Sequence, residues 1–144
     1  MDRQDTGLHT KATGTYGIKS WREQTWEGKD HKEVSGTKLT HAHIVYTFEG
    51  DFTGEGEIQL LMAYLDDANA TFTGWQRMVG RLGDLDGSFV MKVEGKYENG
   101  AASSTWTVIP GMGSGDLADL RGVGESVAQH ADTQPFSIDY YFES

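Results

Sequence analysis

The chain contains no cysteine, which excludes disulfides, a thiol nucleophile and thiolate metal sites. Proline is scarce, at 2 of 144 residues, so few positions are barred from donating into a sheet ladder. Positive charge is also short: 12 Lys and Arg stand against 22 Asp and Glu, a net charge of −10. A surface of that sign repels nucleic acid and anionic membranes and leaves no basic footprint for either. No apolar run approaches the roughly 20 residues of a membrane span. The polar start Met1-Asp2-Arg3-Gln4-Asp5 has no signal-peptide core. The expectation is a cytoplasmic protein with neither a nucleic-acid nor a membrane partner; self-association stays open.

What the sequence has in quantity is alternation. Hydrophobic residues make up 37% of the chain and aromatics 11%, enough for one core in a chain of this length. Residues 1–10 read as a loose tail and 11–144 as a single domain. From Thr13 to Trp26 a Thr- and Tyr-rich stretch reads as a strand, long or bent at Gly14 and Gly17. The charged stretch 27–36 reads as a solvated loop. Leu39 to Phe48 alternates with Ala42, Ile44, Tyr46 and Phe48 on one face, and His41, His43 and Thr47 on the other. Ile58, Leu60, Met62 and Tyr64 share a face between Glu55 and Tyr64. Further strands are expected over Ala70–Val79, Ser88–Tyr97, Ala101–Ile109, Val123–Gln129 and Phe136–Phe142, with a hairpin at Glu98-Asn99-Gly100. Eight strands joined by short turns predict an all-β domain, a sandwich or an up-and-down barrel. The hairpin-like connections favour a single-domain antiparallel barrel of about eight strands, lipocalin-like in architecture. A barrel of that size is filled by side chains or holds one small ligand.

The alternation breaks at Pro110-Gly111-Met112-Gly113-Ser114-Gly115-Asp116-Leu117-Ala118-Asp119-Leu120-Arg121-Gly122. Proline stops the preceding strand, and the glycines permit a sharp reversal. Asp116 is placed to cap a short helical turn, Leu117–Leu120. A dinucleotide fingerprint is excluded, because Gly122 and Gly124 leave no room for the helix that must follow one. This stretch, with Ser20-Trp21-x-Glu23, Phe48-x-Gly50-Asp51-x-x-Gly54-Glu55-Gly56, Phe72-x-Gly74, Gly87-Ser88-Phe89-Val90 and Asp139-Tyr140, resembles the signature of the DUF3224 family over about residues 12 to 142. The resemblance implies a barrel similar to that of allene oxide cyclase. It implies little about activity, since the family's members are small, mostly bacterial proteins of unknown function. Members often carry Glu where this chain has Gln76 and His where it has Val93, so an interior acid–base pair implied by the family is absent here.

Three constellations carry candidate chemistry. His41, His43 and Glu49 approach a cupin-type metal motif, since imidazole and carboxylate suit several transition metals. Glu49 lies one position late, however, and the face is polar, so metal-free solvated histidines are expected. Arg121, beside the glycine corner, is a candidate clamp for a ligand carboxylate, or a partner of Asp116 or Asp119. The third constellation is polar-tipped side chains among apolar faces: Trp21, Tyr46, Met62, Tyr64, Phe89, Met91, Trp106 and Tyr140, with Glu23 and Gln76 as polar points. Aromatic walls with a few placed polar groups are what a small-molecule site looks like. The reading is therefore a barrel that binds a small apolar or amphipathic molecule without a cofactor. It acts either as a cyclase or isomerase, with Glu23 transferring the proton, or as a non-catalytic carrier or sensor; a cupin-like metalloenzyme is the remaining alternative.

Overall fold

A computed structural model describes residues 9–129 and 131–143. Most of the expected tail therefore lies outside the described residues; the sheet begins at Thr10. Nine strands follow: β1 (Thr10–Thr25), β2 (Lys38–Gly50), β3 (Phe52–Asp66), β4 (Asn69–Leu82), β5 (Leu85–Glu98), β6 (Ala101–Val108), β7 (Ser114–Gly115), β8 (Leu120–Ala128) and β9 (Gln134–Phe142). Consecutive long strands pair antiparallel, β1 pairs with β9, and β4 pairs with β5, so eight strands close into an up-and-down barrel. The short β7 is an extra edge lying against β5 at Gly87 and Ser88. Closure leaves no long sheet edge exposed to another chain. The hairpin expected at Asn99-Gly100 is present, with φ of 55° and 77° at the two residues, as a tight two-residue turn needs.

One end of the barrel is packed solid. Phe48, Phe52, Met78, Leu82, Phe89 and Met91 are each at most 2% exposed, and Phe52 meets Phe48 and Phe89 edge-on at 5.7 Å in both cases. The glycine-rich corner closes this end. Gly115 has φ +61°, and a Cβ on it would lie 2.8 Å from the Asp86 carbonyl oxygen. Gly113 has no such φ; its constraint is space, because a Cβ there would collide with the Leu117 carbonyl. The chain between Ser114 and Leu120 runs as successive i→i+3 turns rather than the expected helical turn. Asp116 does not cap it: its backbone N–H donates to the Asp86 carbonyl (2.8 Å) and its carboxylate accepts from the Asp86 N–H (3.2 Å). These bonds pin the corner across the β4–β5 turn and drive Leu117, fully buried, into the barrel.

Strand β1 carries the feature that matters most for the interior. Between Ile18 and Ser20 its register against β2 slips by one residue. Side chains alternate with period two, so a one-residue slip exchanges the faces. Before it, Ala12 and Tyr16 point inward; after it, Glu23 and Thr25 are the buried residues. The bulge is thus what turns an acid into the barrel.

Candidate functional site

At the end opposite the glycine corner the interior is hollow. Small side chains on β6 and β8, Ala102, Ser104 and Ala128, line it where bulky ones would fill it. The cavity measures about 1110 Å³, which is ample for a small organic ligand. Ile44, Ile58, Leu60, Val93 and Trp106 form its apolar floor and walls. Segment 27–36, expected as a solvated loop, is mostly exposed and also runs along the mouth. Gln24 bridges to Asp30, a 3-10 turn spans His31–Glu33, and His31, Val34 and Ser35 line the cavity. Lys38 ties this segment down by donating to the carbonyls of His31 (2.6 Å) and Val34 (2.7 Å), with its ammonium 4.7 Å over the Tyr64 ring.

Glu23 is the polar centre of this space. Its side chain has no solvent exposure. Oε2 accepts from Thr40 Oγ1 and from the Tyr64 hydroxyl, both at 2.7 Å. Oε1 has no hydrogen-bond partner, the one such buried side-chain polar atom among the described residues. Leaving a buried acceptor without a donor costs about 1–3 kcal/mol. His31 Nε2 lies 3.9 Å from Glu23 Oε1, too far for a bond. His31 also stacks on Trp21, ring centroids 5.7 Å apart, making one wall of the mouth. The other acids lining the cavity, Asp67 and Asp132, are exposed at the rim.

Tyr16, Tyr46 and Tyr64 also line the cavity. Tyr16 donates to Ser126 Oγ (2.7 Å), which donates on to the Pro135 carbonyl (2.7 Å). Tyr46 lies edge-on to Tyr16 at 4.9 Å. Burial pushes the hydroxyls of Tyr16 and Tyr46 above the ordinary tyrosine range. Tyr64 is pushed up by burial first, then by its hydrogen bond to Glu23 and the negative charge there. All three stay neutral hydroxyls at physiological pH. Gln76 is 1% exposed, and its amide nitrogen reaches only the Met78 sulfur, at 3.0 Å.

The structure therefore sorts the residues singled out by sequence. Trp21, Glu23, Tyr46, Met62, Tyr64, Gln76 and Trp106 line the cavity. Phe89 and Met91 belong to the packed end, and Tyr140 packs against that same core. Arg121 stands outside the cavity: it donates to the Leu120 carbonyl (3.0 Å), and no ion pair joins it to Asp116 or Asp119 among the described residues. His41 and His43 face outward, bonded to Gln59 (3.1 Å) and Glu57 (2.7 Å), and Glu49 is exposed. No three His, Asp or Glu side chains come together as a metal site among the described residues. Thr40 and His31 were absent from the sequence reading. Thr40 is recoverable from parity, sharing the face of Ala42 and Ile44; His31 carries no local signal.

The sequence pattern of one family, described as "Protein of unknown function (DUF3224)", matches residues 12–140. A crystal structure of a protein with unknown function from the DUF3224 family of Shewanella oneidensis MR-1 is similar in fold, with a TM-score of 0.76 at 21% sequence identity; the match covers 94% of this chain and 99% of that one. No curated protein matches the chain.

Proposed function

The chain belongs to the DUF3224 family, which supplies a fold and no activity, and from its own residues we propose that it binds a small amphipathic molecule inside the barrel. The observation that carries this reading is the buried Glu23. A carboxylate held on one oxygen by two donors, with the other left without a partner at the edge of a hollow apolar space, is a recognition point awaiting a group.

The same geometry supports a catalytic role over simple carriage. An apolar enclosure holds a flexible substrate near its reactive conformer. Glu23 is the carboxylate inside it able to take or return a proton, and the Tyr64 and Thr40 hydroxyls hold its orientation. Tyr46 and Gln76, deeper in, are placed to donate to an oxygen on which charge develops. A cyclisation or isomerisation without cofactor needs no more than these parts. A carrier or sensor would use the same cavity without proton transfer.

The test is titration with an apolar fluorescent dye. Ala102, on the cavity wall, is changed to Trp to fill the space, and exposed Thr105, on the outer face of β6, is changed to Trp as the control. Saturable binding by the wild type and the Thr105→Trp variant, lost in Ala102→Trp, supports the reading. Absence of binding by the folded wild type overturns it.

A further inference from the structure

The atoms around Glu23 narrow the chemistry of the ligand, on the premise that the cavity binds one. His31 Nδ1 lies 3.2 Å from the Glu23 backbone oxygen and 3.5 Å from Asp30 Oδ1. Both neighbours accept hydrogen bonds and neither donates, so Nδ1 carries the ring hydrogen in the neutral imidazole. Nε2 is then a bare lone pair. It faces Glu23 Oε1, another acceptor, at 3.9 Å. Two acceptors look at each other across a gap with nothing donated between them. A nitrogen or oxygen with one hydrogen satisfies only one of them; a head group with two or more hydrogens bridges both.

The surroundings favour a cationic donor. Glu23 supplies the negative charge, and hydrogen bonds between charged partners are the strong ones. Trp21 and Tyr64 line the same cavity, and the Lys38 ammonium lying 4.7 Å over the Tyr64 ring shows that an aromatic face here accepts an ammonium group. Two lysines line the cavity, Lys32 and Lys38. Lys38 is committed to two backbone carbonyls, and the basic side chain within ion-pair reach of Glu23 Oε1 among the described residues is that of His31, not of a lysine. We infer that the ligand is an apolar molecule bearing a primary ammonium group, seated between Glu23 Oε1 and His31 Nε2 with its apolar body over Ile44, Ile58 and Leu60.

This inference rests on the ligand-binding reading above, and one competition series separates the two. Decylamine, decyltrimethylammonium, decanol and decanoate, each below its micellar concentration, compete with the bound apolar dye at pH 7.5 in 0.5 M NaCl. Decylamine is expected to displace the dye at least about tenfold better than the other three. The quaternary amine controls for charge without donated hydrogens, and the alcohol for a single neutral donor. In Glu23→Gln the preference for decylamine should vanish. Dye binding with no preference for decylamine overturns the amine assignment and leaves the cavity reading standing; no dye binding overturns both. A preference that survives in folded Glu23→Gln also overturns the assignment. If that variant does not fold, the ranking on the wild type together with His31→Phe decides. Removing Nε2 there should cut the preference for decylamine severalfold, and an unchanged ranking contradicts the proposed seat.

Discussion

Glu23 stands or falls by the partners of its two oxygens, which makes its substitutions informative. In Glu23→Gln the amide oxygen still accepts from Thr40 and Tyr64, while the buried acceptor Oε1 is replaced by a neutral NH₂. Stability measured by urea denaturation is expected to stay level or rise by up to about 1 kcal/mol, because an orphaned acceptor is removed. Glu23→Leu strips the acceptor from both hydroxyls and is expected to cost about 2 kcal/mol or more. Equal loss in both variants would mean that the unpartnered oxygen is not a source of cost. The tyrosines give a second check at this scale. The hydroxyls of Tyr16, Tyr46 and Tyr64 are all raised in the folded barrel, burial being the first cause in each. A raised folded value contributes stability that is whole below the unfolded value and is lost as pH climbs past it. The melting temperature should therefore hold up to about pH 10, the ordinary tyrosine value, and fall above it. The tyrosinate signal of these three should appear together with unfolding rather than before it. Ionisation of these tyrosines within a still-folded barrel near pH 10 would contradict this.

Among the elements, the glycine corner and the mouth segment show what local sequence does and does not carry. Period-two alternation made all eight barrel strands legible, with ends displaced by a few residues, because each strand's own side chains decide which face is apolar. Three things were not legible. Parity says whether a side chain points inward and not how far along the barrel axis it lies. Phe89 and Met91 therefore share inward faces with Val93 yet sit in the packed end, while Val93 lines the cavity. The run of segment 27–36 along the mouth involves Lys38 and the stack of His31 on Trp21, contacts that lie within a short window but that no hydrophobic period encodes. Asp116 bonds across the β4–β5 turn instead of capping a helix, since a partner 30 residues away wins over the local one. The corner yields its own prediction. Gly115→Ala sets a Cβ against the Asp86 carbonyl in a left-handed backbone and should cost more than the ~1 kcal/mol of an ordinary glycine mismatch. Leu117→Ala should cost about 2–5 kcal/mol by emptying a sealed site. Thermal or urea unfolding checks both, and an unchanged melting temperature in Gly115→Ala would remove the structural role of the corner.

For the whole molecule, the barrel is divided along its axis into a sealed half that stabilises and an open half that is available for binding. The outer surface offers a rival. Trp26, Leu39, Leu61 and Trp75 are each at least 45% exposed, and an apolar compound could settle there instead. Four tryptophans report the difference: Trp106 lines the cavity at 3% exposure, and Trp75 stands outside on β4 at 54%. The most direct measurement is a ¹⁵N–¹H spectrum of the indole N–H groups during titration with decylamine. The hollow-barrel account expects the Trp106 signal to move saturably with one ligand per chain while Trp75 holds still. A Trp75 signal that moves while Trp106 stays fixed, or neither moving up to saturation of the ligand's solubility, would contradict it.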